Sequence, residues 1–210
     1  WFKGGVLNIC YNALDRHVKN GRGEKPALIW DGAAQGATRV ITYRELYQQV
    51  NRLAAVFKSF GVEKGDRIVI YMPTVPEAVT VMLAATRIGA IHAGIFTGYG
   101  MENIAERISS ASPKIIVTTD GSFRRNRVVP LKETLDIILE KITVKNVIVL
   151  NRGITPVNMI AGRDYDWDTL MRERGADYIA PLSVDSEHPS HILFTSGDTE
   201  NPRGVVNDTG

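Results

Sequence analysis

RIVIYMPTVPEAVTVMLAATRIGAIHAGIF, residues 67–96, decides the fold. Arg67-Ile68-Val69-Ile70-Tyr71 is β-prone and does not alternate apolar with polar residues, the pattern of a strand buried on both faces. Pro76 stands where a helix can start, because the N–H it lacks is one that a first helical turn leaves unpaired anyway. Val79, Met82, Leu83 and Thr86 continue at helical spacing up to Gly89. Ala90-Ile91-His92-Ala93-Gly94-Ile95-Phe96 is a second aliphatic run. Strand, helix and strand in this order make a parallel unit.

The flanks repeat the alternation. Ile104, Ala105 and Ile108 mark a helix, Lys114 to Thr118 a third strand, Leu131, Leu135, Ile138 and Leu139 a helix, and Asn146 to Leu150 a fourth strand. Upstream, Thr42-Tyr43-Arg44-Glu45 has capping-box spacing, and Leu46, Val50, Leu53, Ala54 and Phe57 follow up to a stop at Gly61. Ala27 to Trp30 and Arg39 to Ile41 read as a hairpin, and residues 11–19 as a short helix ended by Gly21 and Gly23. Residues 151–190 are less regular, with a short helix near 167–173. The expected class is α/β, a mostly parallel sheet with helices on both faces, without an internal domain boundary.

Composition is that of an ordinary soluble globular chain: 210 residues, 44% hydrophobic, 23% charged, net charge +2. A balance so near neutral favours neither nucleic acid nor a membrane surface as partner, and no apolar run approaches the roughly 20 residues that span a bilayer. The single cysteine, Cys10, allows no disulfide within the chain and no multi-thiolate metal site. A chain that opens on Trp1 and stops at Gly210 just after a motif is expected to be a fragment of a longer protein.

Ligands of open parallel sheets sit beyond the carboxyl ends of the strands. That rule nominates four loops: Met72-Pro73-Thr74, Thr97-Gly98-Tyr99-Gly100, Thr119 to Val129, and Thr195 to Gly204. The second is a poor dinucleotide fingerprint, because the third glycine would fall at Asn103. The third carries Arg124, Arg125 and Arg127, guanidinium forks that suit phosphate oxygens or else a solvated basic loop. The fourth is no Walker A motif. Thr195, Ser196, Thr199 and its glycines read either as a phosphate clamp between two strands or as a polar hairpin turn. Ser196 lacks a nucleophile elbow, the four histidines lack metal-ligand spacing, and Glu102 with Glu106 reads as a solvated pair.

Several stretches, in this order along the chain, carry a resemblance: WFKGGVLNICYNALDRHV, ALIW, ITYRELYQQVNRLA, GVEKGDRIVIYMPTVPEA, ERISSASPKIIVTTDG, RRNRVVPLKE, AGRDYDWDTL and ILFTSG. Together they resemble the N-terminal part of a short-chain acyl-CoA synthetase, in the acetyl-/propionyl-CoA synthetase branch of the AMP-binding, adenylate-forming enzymes. The resemblance implies that residues 1–210 are an incomplete N-terminal AMP-binding domain without the mobile C-terminal domain. It implies ATP, CoA and Mg as cofactors and acetate or propionate as substrate, with no nucleic acid or membrane partner, in the cytoplasm or, in a eukaryote, the mitochondrial matrix. The tail from Val205 to Gly210 and the stretch from Gly162 to Trp167 lean toward the propionate type. CoA would be held by Arg124, Arg125, Asn126 and Arg127 with Phe96 and Gly98, and ATP phosphates by Thr195, Ser196, Gly197, Thr199, Arg203 and Gly204. No catalytic residue and no Mg ligand is identified. The isolated chain is expected to be inactive, and a non-catalytic remnant with weak CoA or nucleotide binding is the alternative.

Two departures stand out. The family's Phe-Gly-Gly-Phe turn reads Phe96-Thr97-Gly98-Tyr99. Its phosphate loop, Thr-Ser-Gly-Ser/Thr-Thr-Gly-x-Pro-Lys-Gly-Val, here has Asp198 at the hydroxyl, Glu200 at the glycine, Asn201 at the first basic position and Arg203 at the second. A carboxylate about 5 Å from a phosphate charge costs roughly 3 kcal/mol at an effective dielectric near 20. As written, this loop is expected to clamp ATP poorly.

Overall fold

A computed structural model describes residues 2–32, 37–125, 127–195 and 203–210. The centre is a seven-stranded sheet. Its strands are β1 (Arg67–Tyr71), β2 (Ile91–Gly94), β3 (Ile115–Thr119), β4 (Val147–Leu150), β5 (Asp164–Asp166), β6 (Pro189–Phe194) and β7 (Gly204–Asp208). Their spatial order is 5-4-3-1-2-6-7. All neighbours are parallel except β6 and β7, which form an antiparallel edge hairpin.

The helices are α1 (Tyr43–Ser59), α2 (Pro76–Arg87), α3 (Met101–Ala111), α4 (Leu131–Leu139) and α5 (Trp167–Glu173). The non-alternating strands serve two cores at once. Ile68, Ile70, Ile115, Val117 and Ile148 pack into the core shared with α1, α2 and α5. Their chain neighbours Val69, Tyr71, Ile116, Val147 and Val149 pack into the core shared with α3 and α4. Each fully buried aliphatic side chain contributes about 1.5–3 kcal/mol relative to exposure, so a strand apolar at every position stabilises both layers.

The capping box forms as its spacing predicts. The Thr42 hydroxyl accepts the N–H of Glu45 at 3.2 Å, and Glu45 Oε2 accepts the N–H of Thr42 at 2.7 Å. Pro76 occupies the first turn of α2. The buried positions of α2 differ from the expected face, however. Val79, Met82 and Leu83 are half-buried, whereas Ala78, Thr80, Val81, Ala84, Ala85, Thr86 and Arg87 are buried. The small residues let α2 lie close to the sheet while α1 covers its other side, and the half-buried Met82 and Leu83 pack against the same core. The expected strand 90–96 is shorter, ending at Gly94. Residues 11–19 form wide helical turns, Tyr11–Asp15 and Val18–Arg22, rather than one regular helix. Asp164–Asp166 adds an edge strand inside the stretch that showed no pattern.

Buried charge fastens the layers. Arg87, at the end of α2, donates Nη1 to Asp15 Oδ2 at 2.7 Å and Nη2 to Asp15 Oδ1 at 3.0 Å. Its Nε donates to the carbonyl of Ile179 at 2.6 Å, and neither side chain of the pair is more than 2% exposed. Cys10 lies beside this pair, and burial pushes its thiol up to about 11, so it is a packing group and not a thiolate at neutral pH. Asp15→Ala strands the guanidinium and is expected to cost about 3–5 kcal/mol, read as a lower urea midpoint. A change below about 1 kcal/mol would remove the pair from the account of how the N-terminal segment is held.

Candidate functional site at the carboxyl ends of the strands

The chain runs from β1 to β2 on one side and then crosses to β3 on the other side of β1. Neighbouring loops therefore diverge at the carboxyl end of β1, and a crevice opens where such a sheet takes ligands. A cleft of about 320 Å³ occupies this place. Met72, Pro73, Thr74 and Val75 follow β1, Phe96 and Thr97 follow β2, Ser122, Phe123, Arg124 and Val129 follow β3, and Arg152 follows β4. Trp30, Asp31 and Gly32 complete the wall. They belong to a ribbon of Pro26–Gly32 and Ala37–Thr42. Trp30 Nε1 donates to the Thr74 carbonyl at 2.8 Å, and Arg39 pairs with Glu77 at 2.7 Å, so the ribbon is tied to the β1 loop and the start of α2.

The stretch 122–129, expected as a loop, is a small antiparallel ribbon of Ser122–Arg124 and Arg127–Val129. Arg124 pairs directly with Arg127; like charges opposite each other are unfavourable, and both side chains are exposed to solvent, which screens them. Arg124 reaches inward. Its Nη1 donates to the Gly98 carbonyl at 3.0 Å, and its guanidinium lies 5.6 Å from the Phe96 ring centroid. Gly98 lets both side chains approach, since an added Cβ would fall 2.4 Å from Phe96 Cε1 and 2.7 Å from Arg124 Nη1 and one or both would have to move. Arg125 is exposed with φ 47° at the ribbon turn, and Arg127 is exposed outside the cleft lining. Asn126 lies outside the described residues.

The described phosphate-loop positions, Thr195, Arg203 and Gly204, lie elsewhere, on the hairpin of β6 and β7. The N–H of Thr195 donates to the carbonyl of Arg203 at 3.1 Å, closing the base of the loop. Gly204 packs tightly there, with an added Cβ only 2.9 Å from Ile192 Cγ2. Ser196, Gly197, Thr199, Asp198 and Glu200 lie outside the described residues. Arg107 of α3, missed in the sequence, is 3% exposed and stacks 4.1 Å from the Tyr99 ring centroid. Its Nη2 donates to the Thr195 carbonyl at 3.5 Å, while its Nε finds no partner among the described residues. The signal was an arginine on the apolar face beside Ile104 and Ile108.

Electrostatics around β3 are set by Asp120, fully buried at its end. At the end of β1, burial raises the Tyr71 hydroxyl to about 12, so it stays a neutral hydroxyl. Among the described residues, no group of three or more His, Cys, Asp or Glu side chains is placed to hold a metal ion. No helix among the described residues is long and apolar enough to cross a membrane.

Residues 14–210 match the family described as AMP-binding enzyme. The chain belongs to that family. Within it, the chain is 50% identical over 220 residues to the acetyl-coenzyme A synthetase of Pyrobaculum aerophilum, covering 100% of this chain and 33% of the relative. It is 44% identical over 214 residues to the 3-hydroxypropionyl-coenzyme A synthetase of Metallosphaera sedula, covering 100% and 32%. A solved acetoacetyl-CoA synthetase from Streptomyces lividans superposes with a TM-score of 0.88 at 28% identity, over 100% of this chain and 31% of that one. This chain of the AMP-binding family thus spans about a third of the length of the curated relatives it matches.

The AMP-binding fold here rests locally on Asp120. Its carboxylate accepts N–H groups from Arg152 at 3.1 Å, Ile154 at 2.5 Å and Thr155 at 3.1 Å. Asp120→Ala is expected to cost about 2 kcal/mol or more, since buried donors lose their acceptor, and to speed amide exchange at residues 152–155. Exchange unchanged there would show that the turn holds itself.

Proposed function

We propose that this chain is the part of an AMP-forming short-chain acyl-CoA synthetase that receives the nucleotide end of CoA and begins the ATP phosphate loop. In the two-step reaction, a carboxylate oxygen attacks the α-phosphate of ATP, forming acyl-adenylate and releasing pyrophosphate. The CoA thiolate then displaces AMP, forming the thioester. The substrate is acetate or propionate, with propionate favoured by the Val205–Gly210 and Gly162–Trp167 stretches. ATP, CoA and Mg are the cofactors. The observation that carries the reading is the full-length match of this chain to acetyl- and 3-hydroxypropionyl-coenzyme A synthetases.

The cleft supports it. Arg124 offers guanidinium N–H groups for phosphate, and Trp30, Phe96 and Phe123 offer rings on which a base can stack. Arg125 and Arg127 lie on the same ribbon and are exposed. Titration of the chain with CoA is expected to show saturable binding, weakened about tenfold or more by Arg124→Ala. Absence of CoA binding would remove the reading.

A second reading is favoured by Asp198 and Glu200: a non-catalytic member whose phosphate loop no longer grips ATP. In a ligase carrying this chain, Asp198→Ser with Glu200→Gly removes two carboxylates and is expected to raise ATP–pyrophosphate exchange by at least about tenfold. Exchange that is already normal before the change would dismiss the effect of those carboxylates.

A further inference from the structure

A second arginine lines the cleft with Arg124. Arg152 follows β4, carries no motif of its own, and lines the same 320 Å³ space as Arg124, Trp30, Phe96 and Phe123. Its backbone is not left to the conformation of a free loop. The three N–H groups of residues 152–155 held by the Asp120 carboxylate fix it to the end of β3, and the Thr155 hydroxyl returns to the Asp120 carbonyl at 2.9 Å. Gly121 permits the close approach, because an added Cβ would meet Thr155 Cγ2 at 3.0 Å and Ile154 Cγ2 at 3.1 Å. The strand that leads into the Arg124 ribbon therefore also anchors the Arg152 turn, and the two cations are presented on mutually fastened supports.

Charge in the cleft follows. Among the described lining residues, Asp31 is the one carboxylate and it is exposed, so Arg124 and Arg152 leave the lining net positive. Phosphate oxygens are the acceptors best matched to guanidinium forks, and two forks from separate turns grip a phosphate group with more geometric selectivity than one. We infer that Arg152 is a binding residue for the phosphate groups of CoA, acting with Arg124 on the phosphorylated adenosine end of the ligand. The inference rests on reading this cleft as the CoA nucleotide site.

The test titrates the 210-residue chain and its variants with CoA, adenosine 3′,5′-bisphosphate and pantetheine. Arg152→Ala is expected to weaken CoA and the bisphosphate about tenfold or more and to leave pantetheine unchanged. The salt dependence of CoA binding should become shallower, since one charge is lost. Arg152→Lys should recover part of the affinity, because the charge remains and the fork does not, and with Arg152→Gln it carries the comparison if the alanine variant does not fold. CoA affinity unchanged in Arg152→Ala, with Arg124→Ala weakened, overturns the role of Arg152 and leaves the cleft as the CoA site. An equal loss for pantetheine overturns it too, since that places the effect in the fold. No binding of CoA or the bisphosphate by the parent chain overturns both.

Discussion

A parallel sheet covered on both faces meets solvent only at its strand ends. That constraint governs this molecule. Ile68 and Ile70 are committed to one core and Val69 and Tyr71 to the other, and Arg67, at the opposite end from the cleft, is held by the carbonyls of Ala111 and Ser112. Polar function is displaced to the residues that follow the strands: Pro73 and Thr74, Phe96 and Thr97, Asp120 to Arg124, and Arg152. The crossing of the chain from β2 over to β3 then decides which of these ends gape, and the cleft sits at that place.

The same burial forces charge to be matched inside. Arg87 and Asp15 are closed off together, and Lys132, 1% exposed, meets the buried Asp164 at 2.8 Å. Lys132 opens α4 and Asp164 opens β5, so this second pair fixes the edge strand against the helix layer. Replacing either pair with well-packed apolar groups need not lower stability, whereas removing one partner does. Their contribution lies in which segments may dock where. Asp120 does comparable work with neutral donors: its carboxylate, satisfied by backbone N–H groups, ties one active-end loop to the next without drawing an arginine out of the cleft.

The sequence disclosed what depends on local pattern. Non-alternating aliphatic runs located β1 to β4, the Thr42–Glu45 spacing located the start of α1, and the arginines after β3 located one wall of the cleft. What escaped depends on partners distant in the chain. Asp164–Asp166 is too short and too acidic to read as a strand, and becomes one only by pairing with Val147–Val149. Arg124 and Arg127 read as loop because their ladder is only three residues long on each side. Arg152 offered no signal, since its place is set by Asp120, 32 positions earlier. The apolar spacing marked α2, with Thr86 buried and Met82 and Leu83 packed against the core, but not its full buried surface, because close helix–sheet approach also selects small residues such as Ala78, Ala84 and Ala85 that a periodicity of large apolar groups does not reveal.

Among the described residues, Thr195 and Arg203 at the base of the β6–β7 hairpin do not line the cleft. Between them lies the turn Phe96–Gly100. On one side, its Gly98 carbonyl accepts Arg124. On the other, Tyr99 stacks on Arg107, which also lies 5.7 Å from the Phe194 ring and donates to the Thr195 carbonyl. The two sites are therefore joined through contiguous packed side chains rather than through solvent. A buried guanidinium whose Nε has no partner among the described residues is a costly group to keep, and it sits where β6 gives way to Thr195. Contact alone does not make such a path a switch. Among the described residues, the turn that carries Thr97 and Gly98 touches both Arg124 and, through Tyr99, Arg107.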